Sequence, residues 1–132
     1  MIRYKHISSI VLSALLFTEV QAASWTTHFA YNNVTKIAMT PDKVFGLSDG
    51  NLFSVDKQTE QMSIYNRQSG LHSTGISCIS YDEVGRQLII GYETGKIDIL
   101  SERGVHYVGA LYDKDMTQRK TIYNVTIKGR IA

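Results

Sequence analysis

One short segment of this chain has the residue types of a phosphate-binding loop. It reads Gly91-Tyr-Glu-Thr-Gly95-Lys96. In a P-loop, four residues separate the two glycines, and a Ser or Thr that binds magnesium follows the lysine. Here three residues separate the glycines and Ile97 follows the lysine. The surrounding pattern also predicts a β-hairpin instead of a strand-to-helix turn, so we expect no nucleotide cofactor at this segment.

Other residues that could bind metals or catalyse a reaction do not have the required spacing. His28, His72 and His106 are separated by 44 and 34 residues, far from the short spacing of metal-ligand pairs. Asp113-Lys-Asp115 lacks the continuation of a calcium loop. We interpret the histidines as surface or loop residues and the acidic pair as part of a solvated connector. We assign no catalytic, cofactor-binding or metal-binding residue, although a Ser-His-Asp set formed by proximity stays open.

Cys78 is the only cysteine in the sequence, so the chain cannot form an internal disulfide bond. It could pair with another chain or act as a reactive thiol. We interpret it instead as a core residue, because it lies between Ile76 and Ile79 in a predicted inner strand. A free cysteine in such a position behaves as a small apolar side chain.

The first 22 residues have the three parts of a secretory signal peptide. A basic start at residues 3–6 precedes an apolar run over residues 7–17, and Val20-Gln-Ala22 ends in a site that a signal peptidase can cut. An uncleaved anchor is the alternative, but 11 apolar residues are too few to cross about 30 Å of hydrocarbon. We predict a signal peptide over residues 1–22 and one mature domain over residues 23–132.

The charge balance argues against nucleic acid as a partner. The whole chain has 14 basic and 12 acidic residues. Loss of Arg3, Lys5 and Glu19 with the signal peptide would leave 12 basic and 11 acidic residues, a net charge of +1. Nucleic-acid-binding domains usually carry a clustered basic excess. No later stretch is apolar enough to cross a bilayer, so we expect no membrane span after removal of the signal peptide.

A segment of about 45 residues repeats along the rest of the chain. Gly46-Leu-Ser-Asp-Gly50 and the later Gly91-Tyr-Glu-Thr-Gly95 lie 45 positions apart. The apolar positions of residues 34–39 recur in residues 76–81 and again in residues 122–127. A repeat of roughly 40–50 residues made of short strands has the length of one β-propeller blade. Because a propeller closes with roughly four to eight blades, two repeats and a fraction predict an incomplete propeller.

Short β-rich runs between turn residues predict an all-β fold with two four-stranded blades and the start of a third. The predicted strands are 35–39, 43–47, 52–56 and 62–65 in the first blade, 76–81, 87–92, 96–101 and 105–111 in the second, and 121–128 with the beginning of another at 129–132 in the third. Asp49-Gly50 indicates a two-residue hairpin turn, and we expect Thr94-Gly95 to take the same role. Residues 67–74 and 112–120 should connect the blades, and residues 25–31 should form an extra N-terminal strand.

The same pattern predicts how the blades pack. We expect most tyrosines to pack in strands between blades, although such rings could also stack on sugars; they are Tyr31, Tyr65, Tyr81, Tyr92, Tyr107, Tyr112 and Tyr123. Ile37 and Ile79 should face interfaces, because each blade buries its apolar faces against its neighbours. Two blades alone leave two outer faces open, which predicts marginal stability or self-association.

Several motifs resemble the PorZ family of propellers in the type IX secretion system. They are Trp25-Thr-Thr-His28-Phe-Ala-Tyr31, Ser69-Gly-Leu71, Ile79-Ser-Tyr81-Asp82, Gly91-Tyr-Glu-Thr-Gly95-Lys-Ile97-Asp-Ile-Leu100 and Lys120-Thr-Ile122-Tyr-Asn124. Propellers of two-component sensor kinases are also similar, but they favour Asp-x-x-Gly-x-Ile-Trp-Ile-Gly-Thr. This chain reads Asp82-Glu-Val-Gly85-Arg-Gln-Leu88-Ile-Ile-Gly91-Tyr92 there. The missing Trp, and Tyr in place of Thr, favour the secretion family.

The resemblance implies a non-enzymatic role. PorZ-like proteins reach the cell surface in an attachment complex that removes sorting signals from cargo and joins the cargo to anionic lipopolysaccharide, and the sortase activity belongs to a partner. We therefore expect an exported scaffold or adaptor in the periplasm or on the outer-membrane surface of a Gram-negative bacterium. Its expected partners are other secretion-complex proteins, with anionic lipopolysaccharide or another glycan as a further candidate.

Two other classes of function remain open from the sequence. The first is the periplasmic ligand-sensing propeller of a hybrid two-component sensor kinase. The second is a polysaccharide-active propeller enzyme, but hydrolysis of that kind needs paired carboxylates, and the sequence offers no convincing pair. The family's remaining blades, second propeller and C-terminal domain have no counterpart in these 132 residues.

Overall fold

The structure, a computed structural model, describes residues 31–109 and 120–127. In this part of the chain, eight antiparallel strands form two four-stranded sheets, each in chain order. The strands are β1 (Val34–Met39), β2 (Lys43–Ser48), β3 (Asn51–Asp56), β4 (Met62–Tyr65), β5 (Ile76–Asp82), β6 (Gln87–Tyr92), β7 (Ile97–Ser101) and β8 (Gly104–Val108). Each sheet is a meander of hairpins, as in a propeller blade. The prediction of two four-stranded blades is therefore confirmed, and seven strands lie within one residue of their predicted bounds.

One face of the first blade is more deeply buried than the other. Successive side chains of a strand point to opposite faces, so Phe45 and Leu47 on β2 share a face, and Leu52 lies opposite Leu47 on β3. All three side chains are buried. Ile37 and Met39 on β1 belong to the other face and are 62% and 68% exposed. Ile37 therefore lies on an open part of the blade surface, and the prediction that it faces an interface is wrong for the described residues.

The apolar core joins both blades. Its buried members are Ala38, Phe45, Leu47 and Leu52 from the first blade, Leu71 from the connection, and Ile76, Ile79, Leu88, Ile90 and Tyr92 from the second. Tyr65, Tyr81, Leu100 and Val105 pack against them. Ile79 is thus buried where the blades meet, as predicted. Because burial of apolar surface contributes about 25 cal/mol per Å², this shared core couples the stability of each blade to its neighbour.

The central hairpin of the first blade has the predicted turn. Ser48 pairs with Asn51, which leaves Asp49 and Gly50 as a two-residue loop. Their φ angles are 48° and 75°. Positive φ at both positions is what a type I′ turn requires, and its twist matches the flanking strands.

The loop of the central hairpin in the second blade is one residue longer, and the prediction of an equivalent Thr94-Gly95 turn is wrong. The backbone N–H of Tyr92 donates to the carbonyl of Lys96 (3.1 Å), and the N–H of Gly95 donates to the carbonyl of Tyr92 (3.1 Å). Three residues therefore form the loop, and Gly95 takes the left-handed position with φ of 83°. Gly46 pairs with Phe53, seven positions later, whereas Gly91 pairs with Ile97, six positions later. This earlier pairing offsets β7 by one residue relative to the sequence repeat.

This offset changes which residues correspond between the blades. Ser54 lies opposite Phe45 in the first blade, and Asp98 lies opposite Ile90 in the second. Gly46 and Gly91, one position further along β2 and β6, keep their predicted correspondence. Asp98 therefore takes the place of Ser54, 44 positions earlier, and both side chains are buried.

The connection between the blades is a capped turn. A short 3-10 helix, Arg67–Ser69, begins after Asn66, whose side chain accepts hydrogen bonds from the backbone N–H groups of Gln68 (2.8 Å) and Ser69 (3.1 Å). Gly70 ends the helix with a φ of 103°, which glycine adopts without a Cβ clash. The next residue, Leu71, enters the core.

Residues 120–127 contain no assigned strand, so the predicted strand at 121–128 is wrong for this described segment. The segment is nevertheless anchored to the second blade. The N–H of Ile122 donates to the carbonyl of Tyr92 (3.3 Å), and the Ser77 hydroxyl donates to the carbonyl of Ile122 (2.6 Å). Because the bonds on Ile122 reach a hairpin end and a side chain, they do not build a strand ladder.

Other predictions fall outside the described residues. These are the signal peptide at 1–22, most of the N-terminal strand at 25–31, the last two residues of the predicted strand at 105–111, most of the connection at 112–120, and the strand start at 129–132.

Candidate functional site

A buried carboxylate on β7 is the most polar feature of the core. Asp98 is 0% exposed. Its Oδ2 accepts hydrogen bonds from the Tyr92 hydroxyl (2.6 Å) and from the backbone N–H of His72 (2.8 Å), and its Oδ1 lies 2.9 Å from His72 Nδ1. A buried carboxylate without such partners would carry a large desolvation cost. The cluster joins the end of β6, the start of β7 and the connection between the blades.

The side chains around Asp98 are held by burial and ring packing. Burial raises the pKa of the Tyr92 hydroxyl far above its usual value, and the hydrogen bond and charge of Asp98 raise this pKa further. Tyr92 is therefore a donor at neutral pH. The His72 side chain is 45% exposed, and its ring lies 5.2 Å from the ring of Tyr107, centroid to centroid. One face of the imidazole is thus packed while the ring still reaches solvent.

The Asp98 cluster contains two of the three parts of an acyl-transfer triad, a carboxylate and an oriented imidazole. In a triad, the second imidazole nitrogen accepts a proton from a Ser or Cys nucleophile. Among residues 31–109 and 120–127, no hydrogen bond joins His72 to a serine or cysteine side chain. The geometry instead fits a structural role, in which Asp98 on β7 binds His72 and so fixes the connection between the two blades.

The first blade has a simpler version of this polar contact. Ser54 Oγ lies 3.2 Å from the Tyr65 hydroxyl, and either group can donate. A tyrosine therefore meets a buried polar side chain in both blades, but it comes from β4 in the first and from β6 in the second. Sequence reasoning placed His72 in a loop and missed its pairing with Asp98. The available signal was a charged residue inside a predicted strand, between Ile97 and Ile99.

Cys78 lies in the interior, as predicted from its neighbours. It is 1% exposed, and burial raises the pKa of its thiol. Gly91 makes room for it, because a Cβ on Gly91 would lie 2.7 Å from the Cys78 sulfur and 2.9 Å from Cγ2 of Ile122. A raised pKa lowers the fraction of reactive thiolate at neutral pH. Cys78 is therefore a core side chain that packs beneath residues 120–127.

The remaining sequence candidates are not brought together by the fold. The segment from Gly91 to Lys96 is the β6–β7 hairpin, which lacks the helix of a P-loop. His106 lies on β8 opposite Ile99 and is exposed. His28, Asp113 and Asp115 lie outside the described residues. Within the described ranges, no group of three or more His, Cys, Asp or Glu side chains could hold a metal ion.

The described tyrosines divide into packed and exposed residues. Tyr65, Tyr81, Tyr92 and Tyr107 lie in strands β4, β5, β6 and β8. The Tyr31 ring lies 4.8 Å from the ring of Phe53, whereas Tyr123 is 71% exposed. Tyr112 lies outside the described residues. Packing between strands is therefore the main role of the tyrosines whose positions the structure gives.

Comparison with known proteins accounts for this architecture. The family of the N-terminal β-propeller domain of PorZ, from the type IX secretion system (TSS9), matches residues 44–132. The match includes both central hairpins and the whole Asp98 cluster. This chain belongs to the PorZ N-terminal propeller family.

A solved structure of PorZ agrees with this assignment. PorZ from Porphyromonas gingivalis is described as an essential bacterial surface component of the type IX secretion system. Its structure matches 80% of this chain with a TM-score of 0.72, and the two sequences are 40% identical. The chain spans 14% of the length of that PorZ chain. No curated protein matches it. The chain is thus a partial β-propeller of the PorZ family.

In the part of this chain that the structure describes, no helix is long and apolar enough to cross a membrane. Its longest helical element is the three-residue 3-10 helix after Asn66.

Proposed function

We propose that this chain contributes the N-terminal propeller segment of a non-enzymatic scaffold or adaptor in type IX secretion. The observation that carries the proposal is the match of residues 44–132 to the PorZ propeller family. The 40% identity to P. gingivalis PorZ supports it, because that protein is a component of this secretion system. The same match favours the adaptor over the sensor-kinase propeller.

The geometry supports an adaptor more than an enzyme. The oriented His72–Asp98 pair contributes hydrogen bonds that fix the connection between blades. The described loops between strands expose charged side chains in both blades. Binding residues commonly lie on such loops of a rigid β scaffold. Because the chain spans 14% of P. gingivalis PorZ, the adaptor function belongs to the assembled propeller and the domains around it.

Export and partners complete the proposal. We expect residues 1–22 to direct export and to be cleaved after Ala22, which leaves residues 23–132 in the periplasm or on the outer-membrane surface of a Gram-negative bacterium. The expected partners are other proteins of the secretion complex, and anionic lipopolysaccharide or another glycan is a second candidate. The near-neutral charge gives no electrostatic support for nucleic acid.

A chimera tests this function. The segment of P. gingivalis PorZ that matches this chain is replaced by residues 31–127, and the chimera is expressed in cells that lack PorZ. We expect type IX cargo to return to the cell surface. The control chimera carries Leu47→Asp, which places a charge in the shared core and should prevent folding. A folded, exported chimera that restores no surface cargo would contradict the proposal.

A further inference from the structure

One face of the first blade, here called the apolar face, carries two apolar rows that cross all four strands. Residues paired on neighbouring strands share a face, so the register gives one row as Ile37, Gly46, Phe53 and Ile64 and the other as Met39, Val44, Val55 and Met62. No member has a charged or hydroxyl side chain. Ile37, Met39 and Met62 are more than half exposed. An exposed apolar surface of this kind usually marks a contact site.

The corresponding row of the second blade has a cover. That row consists of Cys78, Gly91, Ile97 and Val108. A Cβ on Gly91 would lie 2.9 Å from Cγ2 of Ile122, so residues 120–127 lie against the row, and Cys78 is buried beneath them. Residues 120–127 contain no assigned strand. A segment without strand pairing can therefore cover such a row in this fold.

The chain that leads into β1 turns back over the apolar face. Asn33 lies at the edge with the β2–β3 turn, because its Nδ2 donates to Oδ1 of Asp49 (2.9 Å). Tyr31 and Asn32 form a turn just before it. The Tyr31 ring then lies 4.8 Å from the ring of Phe53, centroid to centroid. Because Phe53 belongs to the apolar face, the residues before Tyr31 are delivered to this face.

We propose that residues 25–30 pack on the half of the apolar face formed by β3 and β4, with the Phe29 ring against Met62. In an extended chain, residues two apart lie on the same side and about 6.6 Å apart, which is also the spacing between the two rows. With Tyr31 on Phe53 in one row, Phe29 reaches Met62 in the next. Trp25 lies on the same side of the extended segment and adds apolar surface. The β1 half of the face, with Ile37 and Met39, stays open.

The size of the apolar face favours this segment over a second copy of the chain. The face measures about 14 Å across three gaps between strands, and its two rows extend about 7 Å along the strands. A stable interface buries about 800 Å² on each partner, which is several times this footprint. An extended segment of the length of residues 25–30 spans about 20 Å and so fits the face.

The test is NMR of the full chain with ¹³C in the methyl groups of its four methionines. We expect nuclear Overhauser contacts between the Met62 methyl and the Phe29 ring, together with an upfield shift of this methyl caused by the ring. Phe29→Leu keeps the apolar bulk and removes the ring, so it should abolish both signals. His28→Ala changes the neighbouring residue on the opposite side of the extended segment and should leave both unchanged. The Met39 methyl should keep its position in both variants, which shows that the blade is folded.

Three results would overturn the proposal. The first is a Met62 methyl without contact to Phe29 and with the same shift in Phe29→Leu. The second is a Met62 shift that changes with protein concentration, which would assign the face to a second copy of the chain. The third is a shift in Phe29→Leu at Met39 instead of Met62, which would place the segment elsewhere. The packing does not depend on the role in secretion, so its failure is distinct from failure of the chimera.

Discussion

The Asp98 cluster makes the sharpest prediction about stability. Asp98→Ala removes the acceptor for the Tyr92 hydroxyl and for the His72 backbone N–H. A buried donor without a partner costs about 1–3 kcal/mol. The Tyr92 hydroxyl is buried and the His72 N–H is partly buried, so about 2–6 kcal/mol is an upper range for the two donors. Removal of a buried carboxylate also removes its desolvation cost, which acts in the opposite direction. We therefore expect the free energy of unfolding to fall by about 2–4 kcal/mol.

Ser54→Ala is the matched control because Ser54 occupies the corresponding position in the first blade. Its single contact, 3.2 Å from the Tyr65 hydroxyl, predicts a loss of about 0.5–1.5 kcal/mol. Tyr92→Phe completes a double-mutant cycle with Asp98→Ala. Because the two groups share a short hydrogen bond, the cycle should give a coupling of at least about 1 kcal/mol.

The assay is urea unfolding followed by circular dichroism, with equal slopes required before free energies are compared. The reasoning is refuted if Asp98→Ala destabilises the chain no more than Ser54→Ala does. It is also refuted if the Asp98 and Tyr92 substitutions add within about 0.5 kcal/mol, because additivity is the behaviour of independent sites.

Further predictions concern titration, reactivity and association. Hydrogen bonds from backbone N–H groups of the following turn lower the pKa of Asp56. The ionised carboxylate therefore stabilises the fold fully above about pH 4, and this stabilisation is lost as the pH falls through the lowered pKa. Asp56→Asn should flatten the acid side of a curve of unfolding free energy against pH. The pKa of Tyr92 is raised by burial, so its contribution is present below about pH 10 and declines at higher pH; Tyr92→Phe should reduce the alkaline loss of stability. Cys78 should react with a thiol reagent only after urea unfolds the chain, and rapid labelling of the folded protein would contradict its buried position. Ile37→Lys should lower the light scattering of the isolated chain, because it puts a charge on the open apolar face, whereas unchanged scattering would exclude this face as the contact.

Much of the fold follows from local sequence patterns. The Asp49-Gly50 turn and the alternation on β2 and β3 determine the register of the first blade. In the second blade, local patterns do not predict the register of β7. A three-residue loop and a two-residue loop both contain a glycine four positions after the first glycine, so spacing alone does not reveal the one-residue offset of β7.

The candidate site depends on contacts that lie far apart in sequence. His72 and Asp98 are 26 positions apart, and their meeting depends on how the capped connection crosses the second blade. The shared core likewise needs Phe45 and Leu88 to approach from different sheets. Periodicity identifies both as core residues, but only the packing of the two blades brings them together.

The secretion role can be tested most directly by finding what the PorZ chimera contacts in cells. A photo-crosslinking amino acid in place of Glu102, on the exposed β7–β8 turn, would capture proteins within its short reach, and mass spectrometry would identify them. The account predicts crosslinks to another protein of the type IX secretion complex. It is contradicted if a surface-exposed, folded chimera crosslinks only to proteins outside that system, such as the kinase of a two-component pathway.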